Sequence, residues 1–361
     1  MKILNISLDK KIADKNSAAA QRMVEYGNLV ERYTIIVLAD KDQEFNLAAK
    51  VKVIAVRKSN KFFSLLKLKK KISTILRAEK YDVLTVQDVY FIGWLAVKLA
   101  KQFKLGLELQ VHGLEKFSGL RKILAKKILP QANAVRAVSQ RLKRQLVSEF
   151  GVRAEKITVV PIYTERATHN AQRITHNSER FIFLTVGRLV SVKNIAMQID
   201  AIAKLVKKYV SVELLIVGDG DQRKTLEQMC CALRVARYVK FFGWQNDLDQ
   251  FYQQADAFLL TSNSEGWGIA VLEAAAHGLP IIMTDVGLAG EVIKEGESGI
   301  IIPTQDQEAL TNAMVILIEN EQLLQKLGQG ALVALQKLPT KEETLALYKK
   351  SWEKAVANLP I

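Results

Sequence analysis

Two glutamates stand eight positions apart in the run SEGWGIAVLEAAAHGLPII, Ser264 to Ile282: Glu265 and Glu273. Gly266, Trp267 and Gly268 follow the first, and an apolar stretch beginning at Ile269 carries the second. Glycines at 266 and 268 let a ligand approach the backbone and leave amides pointing outward at a helix start. Glu265 is expected in the loop and Glu273 about two turns on, in the first half of the helix, so that both face one cavity. Carboxylates so placed accept hydrogen bonds from vicinal hydroxyls, the groups that ribose and hexose rings present. Upstream, VGRLVSVKN, Val186 to Asn194, supplies the opposite charge. Gly187 turns the chain after a strand, Arg188 follows at once, and Lys193 comes five later near a helix start. A guanidinium and an ammonium beside free helix amides make a clamp for a diphosphate. Taken singly, each feature has a plainer reading: cations on a solvated surface, and a glutamate on the outer side of an Ala-rich helix.

Positioning such groups requires strand ends, and the chain supplies them regularly. Apolar, β-branched runs alternate with helical patterns: KILNISL, YTIIVLA, VKVIAV, YDVLTVQ and GLELQVHG early, then FIFLTVGRL, VELLIVGDG, VKFFGW, DAFLLTS and LPIIMTDV. This alternation predicts α/β architecture with doubly wound parallel sheets, in which ligands bind beyond the carboxyl ends of the strands. Those points hold Gly187-Arg188, Gly218-Asp219-Gly220, Gly243-Trp244, Thr261 to Gly268 and, in the first half, His112-Gly113. The polar run TERATHNAQRITHNSER, 164–180, breaks the pattern near the midpoint and reads as a linker between domains spanning 1–163 and 181–338. The tail, 339–361, reads as a closing helix with Thr340 as N-cap and glutamates in its first turn.

The charge balance changes at the same linker. Residues 1–180 hold 35 Lys and Arg against 16 Asp and Glu, an excess of +19, whereas residues 181–361 hold 17 against 21. Two domains with different partners are implied, and a uniform nucleic-acid binder is not. Aromatic content of 7% and the absence of a recognition motif argue further against nucleic acid. No apolar run reaches the roughly 18 residues of a membrane span, and the start reads as a strand rather than a leader, so a cytoplasmic location is expected. Cys230 and Cys231 are adjacent and read as reduced thiols in a helix. No Asp-x-Asp suited to a divalent cation is seen, Asp219-Gly220-Asp221 being a strand-end turn, and no metal or other cofactor is expected. His277-Gly278 followed by Pro280 reads as a helix C-cap, with no chemical role for His277.

The spacing Glu265-x7-Glu273, the GRL…KN segment, LLIVGDG, Phe241-x-Gly243 and ADAFLLTSNSEGWGIAVLEAAAHGLPII together resemble family-4 retaining glycosyltransferases of the GT-B fold. The likeness is close over about residues 181–300. In the first half it rests on His112-Gly113 and AVRAVSQRLKRQL. The resemblance implies two Rossmann-like domains facing across a cleft, with the C-terminal helix returning to the first. It implies transfer of a sugar from a UDP- or GDP-hexose type donor to a glycan or lipid-linked acceptor of cell-surface polysaccharide, with retained anomeric configuration. By that similarity Arg188 and Lys193 would bind the diphosphate and neutralise the leaving group. Glu273 would hold the ribose hydroxyls and Glu265 the donor hexose. Backbone at Gly187, Gly266, Trp267, Gly268 and Ile269 would contact sugar or phosphate, Gly243-Trp244 would lie beside the base, and His112 would line the sugar site. A nucleotide-sugar-binding protein without transfer, or a phosphorylase or epimerase of the same fold, are the alternatives.

Three departures from the family pattern bear on the acceptor and on domain closure. The segment SLDKKIADKNSAAAQRM after the first strand has no glycine, although Ser17 can cap a helix there. PIYTE stands in place of PNG, and the double glycine late in the chain is reduced to Gly287-Leu288. In the basic first half, KFFSLLKLKKKISTILRAEK, Lys61 to Lys80, is an amphipathic helix pattern. Phe62, Leu65, Leu66, Leu68, Ile72, Ile75 and Leu76 are expected to pack on the sheet and the lysines to be solvated. The excess of +19 fits an anionic partner, such as peripheral contact with an acidic membrane surface.

Overall fold

The computed structural model describes residues 1–114, 117–164, 180–209 and 211–359. The chain divides into two compact units, Met1–Pro161 with Thr340–Ile361, and Ile162–Pro339. Of the expected linker, only Thr164 and Arg180 fall among the described residues.

The first unit holds β1 (Lys2–Ser7), α1 (Ala18–Asn28), β2 (Arg32–Ala39), β3 (Gln43–Ala48), β4 (Val51–Arg57), α2 (Lys61–Ala78) and β5 (Val83–Val86). There follow α3 (Phe91–Phe103), β6 (Gly106–Val111), α4 (Gly119–Ile128), β7 (Ala134–Ala137), α5 (Gln140–Phe150) and β8 (Ile157–Val159). The strands form one sheet in the order β3-β4-β2-β1-β5-β6-β7-β8. All neighbours are parallel except the edge pair β3 and β4. The step from β1 to β2 runs one way along the sheet and the steps from β4 through β8 run the other. Right-handed crossovers therefore put α1 on one face and α2 to α5 on the opposite face.

The second unit contains β9 (Phe181–Val186), α6 (Ile195–Leu205), β10 (Val212–Val217), α7 (Arg223–Ala232), β11 (Val239–Gly243), α8 (Asp249–Gln254) and β12 (Ala257–Leu260). It continues with α9 (Ile269–Ala276), β13 (Ile281–Thr284), β14 (Gly299–Ile302), α10 (Gln307–Glu319) and α11 (Glu321–Gln336). Its all-parallel sheet has the order β11-β10-β9-β12-β13-β14. The chain runs outward from β9 to β11, then returns to lay β12 on the other side of β9. That reversal leaves a crevice beyond the carboxyl ends of β9 and β12, the place where open parallel sheets bind ligands. Both units are thus doubly wound parallel-sheet domains, as the alternation of strands and helices requires.

The last helix, α12 (Lys341–Ala357), belongs to the first unit. Thr340 and Glu343 close a reciprocal capping box at its start. Trp352 is fully buried and packs against Tyr26, Tyr33 and Tyr348. Beneath it lies a buried charge on the sheet. Glu108 of β6 accepts from Ser351 Oγ and Thr85 Oγ1, and from Trp352 Nε1 at 3.2 Å. Arg136 of β7 lies 3.7 Å from Glu108, with its guanidinium 3.9 Å from the centre of the Tyr348 ring. Burying two ions is costly unless their polar capacity is filled. The returning helix supplies two donors to Glu108 and the Tyr348 ring to the guanidinium, while Arg136 Nη1 has no hydrogen-bond partner among the described residues.

One expectation needs correction. Leu68, Ile72 and Leu76 of α2 are buried, but Phe62 and Leu66, assigned to the same packed side, are exposed, as is Phe63. The helix has 18 residues and runs ~27 Å, whereas β5 beside it has 4 and spans ~13 Å. Its first turns therefore outrun the sheet that would cover them.

Replacing Glu108 by Gln strands a buried guanidinium, and a loss of about 3–5 kcal/mol is expected from the first unit. Urea unfolding followed through tryptophan emission measures it; an unchanged midpoint would mean that Arg136 does not depend on Glu108.

Candidate active site

The loops beyond β9, β10 and β11 are locked by glycines in close contact. Gly218 has φ 137°, and a Cβ there would lie 1.9 Å from the Gly187 carbonyl oxygen. Gly187 N–H donates to Val217 at 2.9 Å, and Gly218 N–H donates to Gly243 at 2.8 Å. Only a residue without a side chain allows that approach. Arg188 leaves this layer at once and is exposed, and its side chain makes no hydrogen bond or ion pair among the described residues.

Lys193 ends a single 3-10 turn, Ser191–Lys193, and Asn194 then turns left-handed, φ 48° and ψ 43°, to start α6. Buried Gln198 sends its Nε2 to Thr261 Oγ1 at 2.9 Å and Thr185 Oγ1 at 3.3 Å. Thr261 Oγ1 in turn lies 3.1 Å from the Lys193 carbonyl and 3.0 Å from that of Asn194. The ends of β9 and β12 are thereby pinned to the backbone that carries Lys193.

The Lys193 ammonium is paired with Glu265 Oε1, which also accepts from Ser262 Oγ at 2.8 Å. Both side chains are mostly buried, 20% and 12% exposed. Oε2 of Glu265 has no partner among the described residues, so one carboxylate oxygen is anchored and the other is open. Glu273 repeats this arrangement: Tyr252 OH donates to its Oε2 at 2.8 Å, and Oε1 is unengaged among the described residues. Burial raises the Glu273 pKa above its ordinary 4.5, against the lowering by Tyr252 and His277. His277 stacks on Tyr252 with ring centres 4.9 Å apart, and its Nδ1 donates to the Glu273 carbonyl at 2.8 Å. Its Nε2 lies 3.4 Å from Asp249. Glu273 is the fifth residue of an eight-residue helix, just past the middle rather than in the first half, because the chain turns at His277 and Gly278.

Neither α6 nor α9 has a side-chain cap. Their first amides converge on the crevice between β9 and β12, where the positive ends of two helix dipoles reinforce Lys193. Gly268, φ 104°, precedes α9, and Ile269 is exposed at its start. Trp267 is buried, with Nε1 lacking an acceptor among the described residues. Gly287, φ 57°, sits so near this loop that a Cβ would fall 2.6 Å from the Trp267 carbonyl oxygen and 3.0 Å from Glu265 Cβ. Trp244 follows β11 on the outer edge and is 67% exposed. In the first unit His112 follows β6 and its side chain is exposed, yet its pKa is pushed down to about 4, first by loss of hydration and then by Arg136 and Arg22. Loss of hydration and the two cationic neighbours together keep the imidazole neutral near pH 7.

Two family profiles match the chain, "Glycosyltransferase Family 4" over residues 27–162 and "Glycosyl transferases group 1" over residues 167–332. The chain belongs to the family-4 glycosyltransferases. It is 22% identical to alpha-monoglucosyldiacylglycerol synthase of Acholeplasma laidlawii over 363 residues, covering 91% of this chain and 89% of that one. Sucrose-phosphate synthase from Thermosynechococcus elongatus shares the fold with a TM-score of 0.81 at 19% identity, over 99% of both chains. Anabaena HepE in complex with UDP-glucose does so with a TM-score of 0.74 at 21% identity, over 98% of both.

Within this glycosyltransferase, Lys193 and Glu265 are in contact, with Gly187 against the lysine stem: a Cβ at 187 would lie 3.9 Å from Lys193 Cε. Glu273 is held separately by Tyr252 and His277. Thr261 and Ser262 fall within the strand-end run Thr261 to Gly268 that the sequence marks, whereas Gln198, Tyr252 and His277 were not among the expected site residues. For His277 the signal was present, because Glu273 and His277 stand four apart on one helix. For Tyr252 and Gln198 no spacing marks the contact.

Two outcomes follow from these contacts. A carboxyl whose pKa is raised by folding adds stability below its unfolded pKa of 4.5 that is lost as pH climbs through the folded value. Glu273→Gln should therefore raise the melting temperature at about pH 7.5 and lose that advantage near pH 4; an equal effect at both would refute the assignment. Gly287→Ala should cost at least twice what Gly290→Ala costs, about 1 kcal/mol, since Gly290 has a similar φ of 73° but nothing within 4 Å. Equal denaturation midpoints would show that the loop yields freely.

Proposed function

We propose that this glycosyltransferase moves a hexose from a UDP- or GDP-sugar to a glycan or lipid-linked acceptor of the cell surface, with retention and without a metal. The observation that carries the reading is the Lys193–Glu265–Ser262 group, set between two uncapped helix starts at the reversal of the second sheet. Its cations and amides suit a diphosphate, and its open carboxylate oxygen suits a sugar hydroxyl. Glu273 offers its own open oxygen to the ribose diol. HepE was solved with UDP-glucose, and the Acholeplasma relative is named for a glycolipid product; both support a nucleotide-sugar donor and a lipid-linked acceptor.

In the reaction so read, the bond from C1 of the hexose to the β-phosphate oxygen breaks and its electrons stay on the diphosphate. Lys193 and Arg188 stabilise that charge as it develops, and the α6 and α9 amides add to them. The acceptor hydroxyl attacks C1 from the face the phosphate leaves, and its proton passes to the departing phosphate oxygen. No protein nucleophile is assigned. His112, neutral, is suited to a hydrogen bond with a sugar hydroxyl rather than to carrying charge. The reading puts the reaction in the cytoplasm, with a lipid-linked acceptor met at the inner membrane face.

Thermal shift with UDP, GDP and ADP, then with their sugars, identifies the donor. Lys193→Ala and Glu265→Ala should each lower transfer by at least about a thousandfold with the fold intact, and EDTA should leave turnover unchanged. Wild-type turnover in either variant would remove the electrostatic scheme. Donor binding without transfer or hydrolysis across a panel of sugars and acceptors would favour a binding protein, and release of sugar phosphate a phosphorylase.

A further inference from the structure

The helices on one face of the first sheet share an unusual feature at their starts. Each of α2, α3 and α4 follows a parallel strand, so all three begin at the carboxyl edge of the sheet. In its first six residues α2 exposes Phe62, 68%, with Phe63 and Leu66. Phe91 and Trp94, 49%, stand exposed in the first turn of α3, and Leu120, 62%, and Ile123 in the first half of α4. Leu8, just past β1 on the same edge, is exposed as well. Large apolar side chains gathered on one rim are not ordinary surface scatter.

Cations predominate around them. The three helices contain twelve Lys and Arg and no Asp or Glu. An acidic residue is the usual complement to a helix dipole. Neither α2 nor α4 has one in its first turn, and at α3 the Asp88 carboxylate accepts from Tyr90 and Ile92 N–H at 2.8 and 3.0 Å. Lys98 sits 3.6 Å over the Trp94 ring, extending the cationic margin to the indole. Apolar tips ringed predominantly by cations are complementary to a layer that is hydrocarbon within and anionic at its surface. A protein partner would be expected to meet acidic side chains on the helices of this face, and α2, α3 and α4 contain none.

We propose that the starts of α2, α3 and α4 form a docking face for an anionic lipid bilayer, with Phe62, Phe63, Leu66, Trp94 and Leu120 entering the headgroup layer. No helix among the described residues is long and apolar enough to cross a membrane, so the attachment is peripheral. His112 ends the strand that precedes α4, and the docked face therefore keeps that edge of the sheet at the lipid surface. This deepens the lipid-linked acceptor reading, but vesicle binding needs neither donor nor turnover, so the two can fail separately.

The test is co-sedimentation of the full chain with vesicles of phosphatidylcholine alone, or containing about 30% phosphatidylglycerol. Binding is expected only to the second kind, weakening as salt is raised. Phe62→Ser with Phe63→Ser, and separately Lys67→Glu with Lys70→Glu, should each lower the bound fraction at least about tenfold, with the melting temperature unchanged. Anionic vesicles should shift tryptophan emission to the blue in wild type and not in Trp94→Phe, since Trp267 and Trp352 are buried and the exposed Trp244 belongs to the second unit. Absence of binding to anionic vesicles overturns the proposal, as does undiminished binding by both double variants. Concentration-dependent dimerisation abolished by Phe62→Ser with Phe63→Ser, without vesicle binding, would assign the face to a second copy of the chain.

Discussion

The ion pair between Lys193 and Glu265 is the contact around which the second unit is organised. On the proposed reading Lys193 meets a diphosphate and must be held in place before the anion arrives, although its own charge resists burial. Glu265 relieves that cost and Ser262 orients the carboxylate. The Gln198–Thr261 link fixes the backbone beneath the lysine. Since the lysine takes only one carboxylate oxygen, holding the cation does not use up the acceptor. A single pair thus presents both signs of charge, as the proposed nucleotide-sugar, with phosphates at one end and hydroxyls at the other, would require.

The same economy governs the helix starts. Ser139, Asp306, Asn320 and Thr340 cap α5, α10, α11 and α12 with their own side chains. Asn194 and Gly268, which open α6 and α9, make no such bond. Uncapped amides are unfavourable in isolation. Here they sit at the strand-order reversal, where an anion can satisfy them. The glycine layer of Gly187, Gly218 and Gly243 brings neighbouring strand ends close enough for that crevice to be lined by backbone.

The first unit solves a different problem. Its returning helix is held by a buried carboxylate that three other elements satisfy, so the sheet and α12 are joined by polar contacts as well as by Trp352. Ser17 Oγ accepts from Ala20 N at 3.1 Å, capping α1 where the family pattern has a glycine-rich loop. That amide is thereby engaged, in contrast with the open helix starts of the second unit. An excess of positive charge marks α2, α3 and α4 on the opposite face.

Much of this was determined by the sequence alone. The alternation of apolar strands with helices specified two doubly wound sheets, because strands buried on both faces must be apolar throughout. Gly187, Lys193, Glu265 and Gly268 could be named because strand-end glycines and charged residues at helix starts follow local rules. The short strands β3, β7, β8 and β14 were less legible: QEFNLA, AVRA, ITV and GIII are too brief or too polar to mark themselves. The tertiary structure alone decided which oxygen of each glutamate is anchored, that Tyr252 holds Glu273, and that the start of α2 outruns its sheet. Those outcomes depend on residues from 20 or more positions away meeting at one point, as Tyr252 meets Glu273 and Lys193 meets Glu265. Local periodicity records which side of an element is apolar, but not which distant polar group will reach it.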